Sequence, residues 1–269
     1  MNSIPDQIVD FFITGVQKGG TTALDMHLRR CPGIQMARTK EIHYFDNEGL
    51  NWSAPAREPL HECFDWSAGR LLLRGEATPI YSYWPHALER LHHYNPSAKL
   101  IMCLRHPAYR AHSHWRMETR RGLDSLPFAA VISETGRSRV SSAPLGVHRI
   151  FSYVERGFYS AQIKRMQSLF PDNQIHFLRT DDLWSQSDHT LHRLLTFLGA
   201  ATSGEPGPPR MVPPRPAGPP PESSRTPSAE IAELTSLYAE DIRLSESLTG
   251  MPLADWLDED YREPMADAA

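Results

Sequence analysis

The sequence predicts an α/β fold, a central parallel sheet flanked by helices within a single domain. Three observations predict it. Short apolar runs of strand length alternate along the chain with amphipathic segments of helix length, the pattern of parallel strands joined by right-handed crossovers. The run Lys99–Leu104 is continuously apolar after its first residue, as in a strand buried on both faces. Residues 11–24 read as a buried strand, a tight glycine turn and the start of a helix. A chain of 269 residues with 40% hydrophobic and 22% charged side chains is long enough for one large domain, or one domain with a small appendage.

Taken in order, residues 6–13 form the first expected strand and residues 22–30 a short helix. That helix ends on Arg29 and Arg30, which suit its negative end, before Pro32 and Gly33. Residues 33–36 alternate as a short strand. Residues 47–69 have no clear period and read as a long loop with short helices, a rim for a cleft. Their Trp52, Phe64 and Trp66 suit either core packing or stacking on a ring. Residues 71–76 are a second core strand. Residues 85–94 are a helix opened by proline and stopped at Asn95-Pro96. Pro107 opens a helix to about Arg121, and residues 126–134 form another. Residues 137–149 are polar and read as a mobile loop. Residues 151–155 and 159–170 are expected helices, 174–178 a strand and 187–198 an amphipathic helix closed by Gly199. The proline-dense residues 204–226 are a linker or a loop over the site. The organisation expected is therefore a core over 1–203, this segment, and a helical region over 227–269 packed on the core.

Composition excludes some functions. A net charge of −4 gives no general affinity for nucleic acid or anionic membrane, so any anion site must be local. No leader pattern and no membrane span are apparent. The three cysteines, Cys31, Cys63 and Cys103, lie far apart without ligand spacing, which points to a reducing, cytoplasmic location and to no metal. The histidines at 92, 93, 112 and 114 lack further ligands and read as polar-network residues. Only Lys18, Lys40, Lys99 and Lys164 are lysines, an arginine bias expected of a GC-rich bacterial gene.

Two stretches carry chemistry. In the first, Gly19 and Gly20 allow close backbone approach, and the amides from Gly19 to Thr22 are expected to meet an anion at the positive end of a helix. Lys18 adds a full charge, and Thr21 and Thr22 add hydroxyls able to cap the helix. This is a phosphate cradle by chemistry. In the second, Arg105 ends a core strand and Ser113 lies about two turns into the next helix. The planar fork of an arginine suits a phosphate, but a structural ion pair with a carboxylate is the plain alternative.

Together these stretches resemble the sulfotransferases that use 3′-phosphoadenosine 5′-phosphosulfate (PAPS), and within them the heparan-sulfate-like branch. The resemblance rests on Gly15-Val16-Gln17-Lys18-Gly19-Gly20-Thr21-Thr22 and on Leu104-Arg105-His106-Pro107 with Arg110 and Ser113. Further matches in the same order are Lys40-Glu41-Ile42-His43-Tyr44-Phe45-Asp46, Gly75-Glu76-Ala77-Thr78-Pro79, Arg156-Gly157 with Tyr159, and Phe170-Pro171. The resemblance spans residues 9–200. It implies a P-loop-like sheet and transfer of a sulfonate group to a hydroxyl. It implies that Lys18 and Gly19 to Thr22 hold the 5′-phosphosulfate and that Arg105 and Ser113 hold the 3′-phosphate. Glu41 matches the general base and His43 an accessory catalytic group. Two departures stand out. Ala77 replaces a lysine of that branch, which counts against a polysaccharide acceptor. Arg210 or Arg215 would have to replace a basic loop over the nucleotide. The acceptor expected is a small metabolite, glycoside or lipid.

Two other readings remain. A P-loop kinase or NTPase needs Gly-x-x-x-x-Gly-Lys-Ser/Thr, whereas Lys18 precedes the glycine pair here and Arg105 stands where a magnesium-binding aspartate would be. A non-catalytic nucleotide-binding protein needs the cradle but no base.

Overall fold

The computed structural model describes residues 7–200 and 228–264. The proline-dense segment with Arg210 and Arg215 lies outside the described residues. Five strands, β1 (Phe11–Gly15), β2 (Ile34–Met36), β3 (Leu73–Ala77), β4 (Lys99–Leu104) and β5 (Ile175–Arg179), form one sheet in the order β2-β3-β1-β4-β5. Every pairing is parallel.

Both faces of the sheet are buried. Side chains alternate across a strand, so Phe12, Leu100 and Met102 join one apolar cluster while Phe11, Ile13, Ile101 and Cys103 join the other. This is why Phe11 to Ile13 of β1 and Leu100 to Leu104 of β4 are apolar at successive positions rather than at every second one. Gly75 is the complement of one large neighbour. It is paired with Phe11, and a Cβ there would lie 2.1 Å from the Phe11 ring.

The helices among the described residues are α1 (Thr21–Leu28), α2 (Glu58–His61), α3 (Ala87–Tyr94), α4 (Pro107–Arg120), α5 (Phe128–Ile132), α6 (Glu134–Ser141), α7 (Tyr159–Leu169), α8 (Thr180–Ser185), α9 (Ser187–Leu198) and α10 (Ser228–Thr249). α10 packs on the core by apolar and polar contacts. Tyr238, wholly buried, donates to the Val154 carbonyl at 2.7 Å. Asp241 receives the Tyr159 amide at 2.7 Å and so caps α7, whose own cap residue offers no side-chain bond. After α10 the chain crosses the carboxyl edge of the sheet. Trp256 is wholly buried there, and Asp181 accepts the Tyr261 hydroxyl at 2.9 Å.

The structure differs from the sequence expectation at four places. Residues 137–149 are not an open loop. Ser133 caps α6 by accepting the Gly136 amide at 3.2 Å, and Val140 is wholly buried. One apolar residue among serines and arginines was too little periodicity to show this. Residues 151–154 are turns, held by Ser152 and His148, and lead into a single 3₁₀ turn at Glu155–Gly157 rather than forming an α-helix. β1 begins and ends later than expected, at Phe11 and Gly15. α8 was not expected: six residues with two aspartates at the start carry no readable period. Trp52, Phe64 and Trp66 pack against Tyr44, His61 and one another's neighbours rather than lining the cleft described below.

Candidate active site

β1 and β4 are neighbours, and the chain leaves their carboxyl ends in opposite directions, toward β2 and toward β5. Open parallel sheets bind ligands at such a switch point. Lys18 follows β1 and Arg105 follows β4, so both arrive at this crevice. The Arg105 guanidinium donates to the Lys18 carbonyl at 2.8 Å. The Thr180 hydroxyl, at the head of α8, lies 2.9 Å from the Gly19 carbonyl and 3.1 Å from that of Leu104, fastening the two loops together.

A cavity of about 390 Å³ opens here, lined by Lys18, Gly20, Thr21, Thr22, Glu41, Arg105 and Ser113 among others. The first-turn amides of α1 have no carbonyl partner within the helix, and its N-terminus offers the positive end of the dipole. Two expectations about this turn are corrected. The Gly19 amide donates to the Val16 carbonyl at 2.8 Å and is not free for an anion. Gly19 instead permits contact with β4, since a Cβ there would lie 2.7 Å from the Cys103 carbonyl. The cap of α1 is Gly20, with φ 81° and no side-chain bond, rather than a threonine hydroxyl.

His43 lies outside this cavity. It lines an adjoining one of about 440 Å³, and Glu41, Gln17, Pro79 and Arg121 border both. Glu41 therefore stands where the two spaces meet. Its loop is fixed by the end of β3 through three successive amides. Glu41 donates to the Ala77 carbonyl (3.0 Å), Ile42 to the Glu76 carboxyl (3.4 Å) and His43 to the Thr78 hydroxyl (3.4 Å). Lys18, Glu41 and His43 have φ of 70°, 62° and 56°, the left-handed region that side chains other than glycine seldom adopt.

Electrostatics differ sharply between these groups. Burial, reinforced by Arg105 and Arg121, lowers the Lys18 ammonium to about 8. Its one polar side-chain contact among the described residues is the Met117 sulfur at 3.7 Å. Glu41 is exposed and paired with Lys40 at 2.5 Å, while its second oxygen lies 3.9 Å from His43 Nε2. The other ring nitrogen of His43 is 2.8 Å from the buried Asp46. Burial pushes the Asp46 carboxyl up, but hydrogen bonds from His43 and Arg149 outweigh it and hold the group below its usual range. Arg105 is not free. Glu263 accepts from its Nε and Nη2 at 2.6 Å each, the ion pair with a carboxylate that the sequence left open.

Sequence reasoning missed Asp46, Gln17, Arg121, Trp184 and Glu263 as members of this region. Asp46 was visible in its motif but carried no assigned role. Trp184, whose ring lies 5.5 Å from the Arg105 guanidinium, sits on the unexpected α8. Gln17 likewise stood in its motif without a role, and nothing in the pattern marked Arg121 or Glu263. Among the described residues no group of three His, Cys, Asp or Glu side chains is placed to hold a metal ion.

Under the Glu41 loop, Glu76 is wholly buried, and burial raises its carboxyl to about 8. In the unfolded chain the same carboxyl ionises near ~4.3. Between these values the folded state binds more protons than the unfolded state, so this group makes stability fall as pH rises across that window and adds no slope above it. Glu76→Gln, a neutral isostere, is expected to remove that slope. Urea unfolding at about pH 5 and pH 8 should show the variant gaining on the wild type at the higher pH. An equal difference at both would refute a proton on Glu76.

Comparison with known proteins agrees with this fold. A profile of the sulfotransferase domain matches residues 9–209. Heparan sulfate glucosamine 3-O-sulfotransferase 6 from Mus musculus is 31% identical over 191 residues, 70% of this chain and 51% of that protein. Heparan sulfate glucosamine 3-O-sulfotransferase 3B1 from Homo sapiens is 29% identical over 196 residues, 72% of this chain and 46% of that protein. The chain thus spans about half the length of the curated relatives it matches. The crystal structure of a sulfotransferase from Alicyclobacillus acidocaldarius superimposes with a TM-score of 0.75 at 23% identity, covering 96% of this chain and all of that one, and shares the fold. With more than half of its length matched by the domain profile, the chain belongs to the sulfotransferase domain family.

Proposed function

We propose that this protein is a sulfotransferase that moves a sulfonate group from PAPS to a hydroxyl of a small metabolite, glycoside or lipid, releasing adenosine 3′,5′-bisphosphate. The observation that carries the reading is the single cavity at the β1–β4 switch point, lined by Lys18, the head of α1, Arg105, Ser113 and Glu41. In this reading the amides and hydroxyls of Gly20 to Thr22 and the Lys18 ammonium bind the 5′-phosphosulfate, and Arg105 with Ser113 binds the 3′-phosphate. The acceptor enters from the adjoining cavity. Glu41, at the boundary, takes the hydroxyl proton as oxygen attacks sulfur. The bond between sulfur and the phosphate oxygen breaks, and Lys18 stabilises the charge left on that phosphate. The reaction needs positioning and charge rather than an enzyme-bound intermediate. His43, braced by Asp46, orients the base or the acceptor. The adjoining cavity mixes an apolar wall of Ile42, Pro79, Ile80, Leu123 and Ile150 with polar and charged groups that include His43, Asn47, Glu118 and Arg149, which suits an acceptor with one apolar and one polar face. Three unpaired cysteines support a cytoplasmic location.

The test is retention on immobilised adenosine 3′,5′-bisphosphate. The protein should bind, elute with the free bisphosphate and ignore ATP. Elution by ATP at equal concentration would favour a P-loop NTPase. Retained binding with no transfer of label from PAPS to any acceptor in host extracts would favour a binding protein.

A further inference from the structure

We propose that Glu263 is an internal stand-in for the donor's 3′-phosphate, a competitor that sets how tightly a 3′-phosphorylated nucleotide binds. The inference rests on the function proposed above. Its starting point is that the arginine assigned to the 3′-phosphate already holds a carboxylate in its fork. Glu263 meets it in the side-on, two-bond geometry that an arginine fork offers to a carboxylate or a phosphate alike, with both contacts at 2.6 Å. The third Arg105 contact, to the Lys18 carbonyl, fixes the fork relative to the cradle and leaves the two Glu263 contacts as the exchangeable ones.

Glu263 is not a stray surface residue. The segment that delivers it is clamped to the carboxyl edge of the sheet. Trp256 is wholly buried, Asp255 pairs with Arg179 at 2.7 Å, and Tyr261 stacks on His106 at 5.0 Å with its hydroxyl on Asp181. Both partners of the pair are mostly shielded, at 14% and 13% side-chain exposure, so water screens the attraction weakly. The pair also stands between two spaces. Arg105 lines the donor cavity, while Glu263 lines a neighbouring cavity of about 750 Å³ between α10 and the terminal segment.

The consequence is a selection rule. A shielded arginine without a partner is unfavourable, so the carboxylate keeps the fork ordered while the site is empty. A ligand takes the two-bond Nε and Nη2 edge of Arg105 only by replacing that carboxylate with an anion at least as good. A 3′-phosphate, with more charge and three oxygens, qualifies. A nucleotide bearing only a 5′-phosphate has nothing to offer there and binds at the cradle alone with the pair intact. Glu263 thereby weakens the binding of every 3′-phosphorylated nucleotide while leaving the others untouched.

The test compares adenosine 3′,5′-bisphosphate with adenosine 5′-phosphate by calorimetric titration of the full chain. Glu263→Gln should tighten the bisphosphate by about tenfold or more, since one competing charge-assisted pair is removed, and leave the monophosphate unchanged. Glu263→Asp, whose shorter arm retains the charge, should fall between. Thermal unfolding of each variant identifies any that misfolds, and the ratio of the two affinities within one variant is insensitive to the active fraction. Unchanged or weaker bisphosphate binding in Glu263→Gln, with the wild type binding it, overturns the stand-in and leaves the sulfotransferase reading intact. Equal tightening of both nucleotides also overturns it, because it points to general charge rather than displacement. No bisphosphate binding by either protein overturns the function on which the inference rests.

Discussion

Lys18→Ala is expected to lower kcat for sulfonate transfer by about 10²- to 10³-fold, the range found when one preorganised stabiliser of transition-state charge is removed. The protein should remain folded. Lys18 forms no salt bridge among the described residues, and its one side-chain contact is a thioether. An ammonium largely withdrawn from water beside Arg105 and Arg121 is costly to the empty protein, which is why its proton is held only to about 8. Replacing it by a methyl group removes that cost, so thermal stability should hold or rise while turnover collapses. The same feature gives a pH signature. The charged form exists below about 8, so donor affinity in the wild type should weaken as pH rises through that value. Lys18→Arg, charged throughout, should not show that weakening. A Lys18→Ala protein with turnover within about twofold of wild type would remove Lys18 from the transition state.

Glu41→Gln carries the second large effect, an expected loss of about 10²- to 10⁴-fold in kcat through loss of the proton acceptor. Three features make the substitution clean. Glutamine keeps the size and the backbone amide that bonds Ala77. The Lys40 pair it breaks is partly exposed and is worth at most about 1 kcal/mol to stability. Glu41 lies at the boundary of the cavity proposed for the donor and forms no hydrogen bond or ion pair with Arg105 among the described residues. Calorimetric affinity for adenosine 3′,5′-bisphosphate should therefore match the wild type while turnover of PAPS falls. Equal losses in binding and turnover would mean that Glu41 supports the cradle instead of taking a proton.

What was legible in the sequence follows from where the information resides. β1 and β4 could be read because burial on both faces favours consecutive apolar residues, Phe11 to Ile13 and Leu100 to Leu104, and that signal is local. The turn between β1 and α1 could be singled out because glycine, lysine and threonine at fixed spacing have few other uses together. Glu41 could be proposed only through the motif around it, since a lone glutamate beside a lysine is ordinary. The partner of Arg105 could not be read at all, because it comes from Glu263, beyond α10, on a segment positioned by Trp256 and Asp255. No local rule links residues that meet only through the tertiary fold. α8 escaped for the opposite reason: it is too short to show a period, and its Trp184 reaches the donor cavity from a helix of six residues. Gly19 was correctly marked as special for the wrong cause. It makes room for β4 and does not present an amide to a ligand.

The left-handed backbone at Lys18, Glu41 and His43 has a consequence for anyone who sets out to make this protein more robust. Each of those positions holds its residue in a conformation about 1 kcal/mol or more above what glycine would need. A search ranked by thermal resistance alone would therefore favour glycine at Lys18 and Glu41, while at His43 the lost contact with buried Asp46 opposes it. It would return a hardier molecule without the ammonium and the carboxylate to which the proposed reaction is assigned. On those assignments, conformational comfort and chemical purpose compete at these positions, and a library that is to keep its activity should hold them fixed.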